Sequence, residues 1–205
     1  TIELKIPSFR REECKIGIVH LGVGNFHRAH QALYINNYIE KTNDKNWSIC
    51  GINLRKEEKE NFNFLKERNG KYILKTASSD GEIAFSEIHS IKKLIDWSEE
   101  KEKAENILCD ENVEIVTMTV TESGYYINED NNLNLNLQIV KDNISKKENT
   151  IIFSFLLSAL KKRMDTIDKE ITLLCCDNIR ENGLMLEKCL KQYVEQSKDL
   201  ELLKW

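Results

Sequence analysis

The stretch from His20 to Gln31 holds the residues of this sequence that are best suited to bind a charged ligand. Gly22 and Gly24 in this stretch directly follow an apolar run and directly precede a helical pattern. A first glycine permits a tight turn, and a second lets the backbone approach a pyrophosphate without a Cβ in the way. The N-terminus of the next helix then offers unpaired N–H groups and partial positive charge to the phosphates. The pattern predicts a dinucleotide-binding turn, to which Arg28 can add a charge-assisted contact.

Two parts of the usual dinucleotide pattern are missing. The third glycine would fall at position 27, where this chain has His27, so spacing alone also allows an ordinary strand-to-helix turn. No acidic residue closes the second predicted strand, where it would bond the adenine ribose. Asn53 can bond a ribose hydroxyl and Arg55 can meet a 2′-phosphate, whereas Glu57 and Glu58 are typical of a helix start. The choice between NAD and NADP stays open.

Three of the four histidines, His20, His27 and His30, lie in the same stretch. His27 and His30 are three residues apart and could share one helical face, as metal ligands do. A further ligand would have to converge on them, and the nearest thiol in sequence is Cys14. The histidines are therefore expected to pack at the helix start, and no metal is expected.

The composition excludes several classes of protein. The 205 residues carry a formal net charge of −4 with scattered lysines, which argues against a nucleic-acid partner. The longest apolar run, residues 151–160, is interrupted by serines and too short for a membrane span, and no signal-peptide pattern opens the sequence. None of the six cysteines forms a C-x-x-C pair. We therefore expect reduced thiols in a cytoplasmic protein with no membrane partner.

Short apolar runs alternate with helical patterns along the chain, which predicts a parallel sheet with crossover helices. Two extended segments, 71–76 and 82–91, are joined by Ser-Ser-Asp-Gly, a turn signal that predicts a hairpin between the main units. The expected fold is α/β: a Rossmann-like, doubly wound, mainly parallel sheet with an inserted β-hairpin. The predicted main strands are 15–21, 47–52, 114–120 and a buried strand at 170–176, and the predicted helices are 29–41, 57–68, 150–163 and 183–194.

Four ordered segments resemble the polyol-specific long-chain dehydrogenases, a family that includes mannitol 2-dehydrogenase, arabinitol dehydrogenase and fructuronate reductase. The first is the stretch from Ile18 to Ala32, which resembles the family's opening signature. The others are Trp-Ser-Ile-Cys-Gly-Ile-Asn-Leu-Arg at 47–55, Thr-Val-Thr-Glu-Ser-Gly-Tyr at 119–125 and Cys-Asp-Asn-Ile-Arg-Glu-Asn-Gly at 176–183. Ser123 stands where the family usually has lysine. The resemblance spans nearly the whole chain and implies a dinucleotide-binding fold.

The resemblance also implies roles for individual residues. The glycine turn would carry the pyrophosphate, which adds Asn25 and Phe26 to the two glycines. Thr121 and Glu122 would lie near the nicotinamide, unless they only form a strand-end turn at Gly124. Asn178 would belong to the donors that hold the reacting oxygen, and Asp177 could orient a neighbouring loop; the alternative is that Asp177 and Asn178 cap a helix. The implied reaction interconverts a polyol or sugar acid and its keto form with NAD, NADP not being excluded.

One element of the family pattern is missing from this sequence. The family uses a Lys-x-x-x-x-Asn-x-x-His helix, in which the lysine is the general base, within a mostly helical C-terminal domain. The last histidine here is His89, well before the Cys-Asp-Asn segment. We therefore expect residues 1–205 to be the N-terminal dinucleotide-binding domain, with the helical catalytic domain absent and the isolated chain inactive. The alternatives are a complete small oxidoreductase and a non-catalytic nucleotide-sensing or interaction module with the same fold.

Overall fold

A computed structural model describes residues 3–55 and 59–205 of the chain. Glu57 and Glu58, expected at a helix start, lie outside the described residues. The described strands are β1 (Leu4–Lys5), β2 (Ile16–Leu21), β3 (Ser48–Asn53), β4 (Tyr72–Ala77), β5 (Ile83–Ile88), β6 (Ile91–Asp96), β7 (Ile115–Met118) and β8 (Thr172–Cys175). The described α-helices are α1 (Ala32–Thr42), α2 (Lys59–Glu67), α3 (Lys101–Asn106), α4 (Gln138–Ser145), α5 (Ile152–Thr166), α6 (Asn182–Gln196) and α7 (Leu200–Lys204).

The main sheet has five parallel strands in the order β6-β3-β2-β7-β8. Along the chain, β2 is followed in this sheet by β3 and β6, which lie on one side of it. The last two strands, β7 and β8, lie on the other side of β2. The strand order therefore reverses between β2 and β7, which is the topological switch point where open α/β sheets bind ligands. The arrangement confirms the Rossmann-like fold.

Helices cover both faces of this sheet, because neighbouring residues of a strand point to opposite sides. Val19 and Leu21 of β2 pack into the larger core, with α5 and α6. Ile18 of the same strand packs into a second core with Ala32 of α1 and Phe62 of α2. Burial on both faces explains why the central strands are continuous apolar runs.

The inserted hairpin is present as the antiparallel pair β4 and β5, which forms a separate three-stranded sheet with β1. The predicted extended segment 82–91 is wrong at its end, because it merges β5 with the start of β6, a main-sheet strand that the prediction missed. The break between them lies at His89 and Ser90. The His89 N–H donates to Asn36 Oδ1 and the Ser90 hydroxyl donates to the Ala32 carbonyl. The chain is thus turned by hydrogen bonds to α1, without a local glycine or proline signal.

The last strand of the main sheet is an edge strand. β8 pairs only with β7, and Leu174 is 49% exposed. The expectation of a buried strand is therefore wrong for Thr172 and Leu174, whose side chains are exposed. Its apolar sequence matches a buried strand, but only its position in the sheet decides how many neighbours cover it.

No helix of the described residues is long and apolar enough to cross a membrane. The sulfurs of the six cysteines are all free, and four of the six side chains are buried.

Candidate functional site

The carboxyl ends of β2, β3, β6 and β7 surround a cavity of about 670 Å³. It begins at Gly22 after β2 and extends past the ends of the neighbouring strands to the start of α5. Apolar surface comes mainly from aromatic and isoleucine side chains, and polar groups come from the strand ends and from the loop before α5. The lining residues are Gly22, Asn53, Leu54, Arg55, Trp97, Ser98, Lys101, Thr119, Val120, Thr121, Ser123, Gly124, Tyr126, Ile139, Asn149, Thr150, Ile151 and Ile152. The volume lies in the ordinary range for small-molecule and cofactor sites.

The two glycines of the turn after β2 differ in what surrounds them. Gly22 has φ +91°, and an ideal Cβ there would lie 2.2 Å from the Thr119 carbonyl oxygen. Only glycine fits both that conformation and that contact. An ideal Cβ on Gly24 would meet no atom within 4 Å. The fold therefore requires glycine at position 22, whereas at position 24 glycine leaves open space beside the backbone.

The helix after the turn starts at residue 25, and its second turn, His27–Gln31, is π-helical before it continues as α1. Single π-helical turns are rare and often occur at functional sites. The first helical hydrogen bond runs from the Arg28 N–H to the Gly24 carbonyl, so the N–H groups of residues 25–27 have no acceptor within the helix. Arg28 lies across this start: its Nη2 donates to Asn25 Oδ1 at 2.6 Å and its Nε to the Gly24 carbonyl at 3.4 Å. Phe26 is 55% exposed beside it.

The end of β3 places Asn53 and Arg55 on the cavity wall. Asn53 is buried, and its side chain donates to the Arg55 carbonyl and accepts from the Arg55 N–H. Asn53 therefore closes the turn after β3 with both ends of its amide. The Arg55 guanidinium reaches across to the segment after β7, where it donates to the Val120 carbonyl and, at 3.0 Å, to Thr121 Oγ1.

Thr121 has an unusual backbone conformation, with φ 66° and ψ 159°. This region is essentially restricted to glycine, and a side chain there costs about 1–3 kcal/mol. The side chain of Asp177, after β8, holds the strained segment: it accepts from the N–H groups of Val120 (2.9 Å) and Thr121 (3.1 Å) and from the hydroxyl of buried Tyr125 (2.6 Å). Burial, followed by the hydrogen bond to Asp177, raises the pKa of Tyr125. The expectation that Asp177 orients a neighbouring loop is confirmed.

Glu122 and Asn178 lie at the same edge but outside the cavity lining. Glu122 is exposed and begins a short 3₁₀ turn, Glu122–Tyr125, in which the Gly124 N–H donates to the Thr121 carbonyl. Asn178 is exposed in the loop after β8. The alternative that Asp177 and Asn178 cap a helix is wrong, since α6 begins at Asn182 after Glu181.

His20 and His27 form a stacked pair beneath the glycine turn, with ring centroids 3.7 Å apart and planes 12° from parallel. Both side chains are fully buried. Burial lowers the pKa of His20 well below its ordinary value and that of His27 to about 4. Both imidazoles are therefore neutral near pH 7, and the packing role expected for these histidines is met by a face-to-face contact. Among residues 3–55 and 59–205, no group of three or more His, Cys, Asp or Glu side chains is placed to hold a metal ion.

Several cavity residues were not predicted from the sequence. Trp97 and Ser98 follow β6, the strand that the hairpin prediction absorbed, and Lys101 starts α3. The signal that could have found them is the run Ile91–Asp96, in which apolar residues stand on both sides of two lysines. Asn149 and Ile151 come from the loop before α5, and nothing local in the sequence brings that loop to the strand ends.

Comparison with known proteins gives consistent results. A family model described as the mannitol dehydrogenase Rossmann domain matches residues 16–205. Among curated proteins, a mannitol 2-dehydrogenase from Pyrenophora tritici-repentis is 31% identical over 98% of this chain and 36% of its own length. D-arabinitol 4-dehydrogenase from Klebsiella pneumoniae is 32% identical over 91% of this chain and 41% of its length. A polyol:NADP oxidoreductase from Gluconobacter oxydans is 32% identical over 98% and 42%, respectively.

Solved structures agree with the sequence comparisons. The mannitol 2-dehydrogenase of Pseudomonas fluorescens, solved as a ternary complex with NAD and D-mannitol, superposes with a TM-score of 0.89 at 29% identity, covering 99% of this chain and 42% of that one. A substrate-free D-sorbitol dehydrogenase gives a TM-score of 0.88 at 30% identity, covering 98% and 42%. The chain thus spans about two fifths of the length of the relatives it matches.

Proposed function

Because the chain belongs to the mannitol dehydrogenase family, whose Rossmann domain it matches over residues 16–205, we propose that it binds NAD for a polyol oxidoreductase. The reaction is the interconversion of a polyol or sugar acid and its keto form, of the mannitol/fructose or mannonate/fructuronate type. The mannitol, arabinitol and polyol dehydrogenases among the relatives support the polyol class. The NAD complex of the Pseudomonas fluorescens enzyme supports the cofactor.

The observation that carries this proposal is the space beside Gly24. An ideal Cβ would meet nothing within 4 Å there, at the start of a helix and at the topological switch point of the sheet. A pyrophosphate needs that combination of open backbone, unpaired N–H groups and helix dipole. The residues present therefore fit the cofactor, whose nicotinamide ring accepts or donates the hydride when bound.

The role proposed for each residue follows from its position at the carboxyl edge of the sheet. Gly22, Gly24, Asn25 and Phe26 would carry the pyrophosphate, and Arg28 would add charge beside it. Asn53 and Arg55 would line the adenosine ribose. Thr121 and Glu122 would lie on the nicotinamide side, and the amide of Asn178 would stabilise negative charge on the reacting oxygen.

The cofactor choice rests on the end of β3. No carboxylate of the described residues stands at the end of β3, and one nitrogen of the Arg55 guanidinium is already bonded to the Val120 carbonyl and to Thr121. Moving that guanidinium toward a 2′-phosphate would remove support from the strained Thr121 backbone. We therefore propose NAD as the principal cofactor, with NADP also accepted, as the name of the Gluconobacter oxydans relative indicates for that protein.

For the chain by itself we propose binding without turnover. A helical domain absent from these residues would supply the general-base lysine and much of the substrate site. The relatives are about 2.5 times as long as the part that this chain matches, which supports a missing domain.

Calorimetric titration of the chain with NADH and with NADPH tests the proposal. We expect NADH to bind more tightly than NADPH, and no reduction of fructose or fructuronate and no oxidation of mannitol or mannonate. Lack of binding of either nucleotide at millimolar concentration would refute the cofactor role. Turnover that survives purification and disappears in Asn178→Ala would instead favour a complete small enzyme.

A further inference from the structure

A chain of side-chain hydrogen bonds runs from the helix after the glycine turn, across β7, and back to the turn itself. His27 Nδ1 lies 2.8 Å from Gln31 Oε1, and Gln31 Nε2 lies 3.0 Å from Thr117 Oγ1. Thr117 Oγ1 lies 2.7 Å from His20 Nδ1, and His20 Nε2 lies 3.0 Å from the Gly22 carbonyl oxygen. We refer to these four side chains, His27, Gln31, Thr117 and His20, as the relay.

The direction of the relay follows from its last acceptor. The Gly22 carbonyl can only accept. His20 Nε2 lies 3.0 Å from this carbonyl oxygen and 3.0 Å from Thr119 Oγ1, whose hydroxyl donates to the same carbonyl at 2.9 Å. His20 Nε2 therefore carries the proton and His20 Nδ1 is left as an acceptor. The single hydroxyl proton of Thr117 then goes to His20 Nδ1 at 2.7 Å, in preference to Gln31 Oε1 at 3.4 Å. Thr117 Oγ1 accepts from the Gln31 amide. The Gln31 carbonyl oxygen in turn accepts from His27 Nδ1, which makes His27 the Nδ1–H tautomer.

The opposite direction is electrostatically unfavourable. It would require His20 to carry its proton on Nδ1 and the Thr119 hydroxyl to turn from the Gly22 carbonyl to His20 Nε2. The Gly22 oxygen would lose two donors, and its lone pairs would lie 3.0 Å from the lone pair of His20 Nε2. Both imidazoles are fully buried and stacked, so no solvent screens that repulsion. The relay therefore takes the arrangement of protons that avoids this repulsion.

The end of the relay fixes the peptide that follows Gly22. The Gly22 carbonyl oxygen receives three donors: the Gly24 N–H at 2.8 Å, Thr119 Oγ1 at 2.9 Å and His20 Nε2 at 3.0 Å. In a trans peptide the C=O and N–H point in opposite directions. Holding this carbonyl toward the buried histidine therefore turns the Val23 N–H away from the core and sets the course of the chain into Gly24.

We propose that His20, Thr117, Gln31 and His27 are positioning residues for the dinucleotide: they hold the Gly22 carbonyl inward, so that the glycine turn is preorganised for the pyrophosphate. This inference rests on the proposed NAD function. The relay touches the turn only from its buried side, so its residues act through the backbone and not on the ligand. Preorganisation removes part of the ordering cost of binding.

The tautomers provide a test that does not depend on any ligand. ¹⁵N NMR of the chain labelled at histidine distinguishes protonated from unprotonated ring nitrogens. We expect the Nε2–H form for His20 and the Nδ1–H form for His27, both unchanged between about pH 6 and pH 8. The reversed pair of tautomers, or rapid exchange between both forms, would overturn the relay.

Variants test the link to binding. Thr117→Val keeps the shape and breaks the relay, and we expect NADH affinity to fall by about ten-fold, the effect of losing one buried hydrogen bond in a network. Thr117→Ser restores the hydroxyl and should bind within about two-fold of the parent chain. Gln31→Met also breaks the relay, and we expect it to weaken NADH binding several-fold. Because Gln31 is a half-buried helical residue, this variant is expected to fold even if Thr117→Val does not.

A matched control separates positioning from general stability. Ser48→Ala removes another buried hydroxyl that donates to a backbone carbonyl, that of Lys15, at the amino end of β3 and thus at the opposite end of the sheet from the glycine turn. We expect it to lower the melting temperature with no change in NADH affinity. Folded Thr117→Val or Gln31→Met that bind NADH as the parent chain does would overturn the inference. Failure of the parent chain to bind would instead refute the proposed function.

Discussion

Substitution of the two turn glycines should separate folding from cofactor binding. Gly22→Ala would place a Cβ 2.2 Å from the Thr119 carbonyl oxygen in a residue with φ +91°. The left-handed conformation costs about 1–2 kcal/mol and the overpacking about 1–3 kcal/mol more. A loss of about 2–5 kcal/mol corresponds to a fall in melting temperature of roughly 5–15 °C for a chain of this size.

Gly24→Val should behave in the opposite way. Its Cβ meets no atom within 4 Å, so the melting temperature should stay within about 3 °C of the parent chain. The same Cβ occupies the space that a pyrophosphate needs. Displacing the phosphates from two backbone N–H groups removes charge-assisted hydrogen bonds worth about 1.5–3 kcal/mol each, so NADH affinity should fall at least about 100-fold.

Calorimetric titration with NADH and thermal unfolding followed by circular dichroism measure the two effects on the same samples. Gly183→Val is the matched control, because Gly183 also has open space around an ideal Cβ and lies in α6, away from the turn. It should leave NADH affinity unchanged. Folded Gly24→Val that binds NADH within about three-fold of the parent chain would refute the assignment of the phosphate site. An unchanged melting temperature for Gly22→Ala would refute the steric argument.

Three further predictions concern stability. Lowering the pH from 7 to 5 should reduce the unfolding free energy by about 2 kcal/mol through His27. Its imidazole takes up a proton in the unfolded chain below about pH 6.5, but in the folded chain only near its pKa of about 4, so acid favours the unfolded chain. His27→Phe should lose that part of the pH dependence in urea titrations, and parallel curves for the two proteins would contradict the argument. Asp177→Asn should lower the unfolding free energy by about 2–3 kcal/mol, because one of the two oxygens that accept backbone N–H groups would become an amide nitrogen. Asn178→Ala beside it should leave the unfolding free energy unchanged. Arg163→Met should lower the unfolding free energy by at least about 3 kcal/mol, since this buried guanidinium donates to four backbone carbonyls. Lys162→Met, at the half-buried neighbouring position, should change the melting temperature little, and equal effects of the two variants would refute the role of Arg163.

The fold class was predictable from local pattern. Apolar runs that end in glycine or asparagine and alternate with helical spacing leave few arrangements besides a parallel sheet with crossover helices, since both faces of each strand must be buried. The turn signal Ser-Ser-Asp-Gly predicted the hairpin for an equally local reason. β6 was missed because the break before it depends on hydrogen bonds from Ser90 and His89 to α1, which no short segment reveals.

The candidate site was predictable where one segment contains the whole feature. The glycine turn is such a segment, and the motif at 176–183 pointed to Asp177. The cavity wall formed by Trp97, Lys101 and Asn149 was not predictable, because these residues lie about 75 to 125 positions after the turn, as the sequence numbers show. Their convergence depends on strand order, which fixes which loops share an edge.

The sequence by itself determined that a glycine turn follows the first main strand. An apolar run followed directly by two glycines is a local feature, and the conformations open to glycine do not depend on distant residues. Only the tertiary structure decided why those glycines are there. Gly22 is required by the Thr119 carbonyl, which directly follows β7 about a hundred residues later, and Gly24 is left open by every described neighbour. The same holds for the histidines: the sequence places three of them near the turn, and the fold stacks two of them and directs one nitrogen at the carbonyl that sets the turn. Contacts between distant segments follow from packing and register, which a linear pattern does not contain.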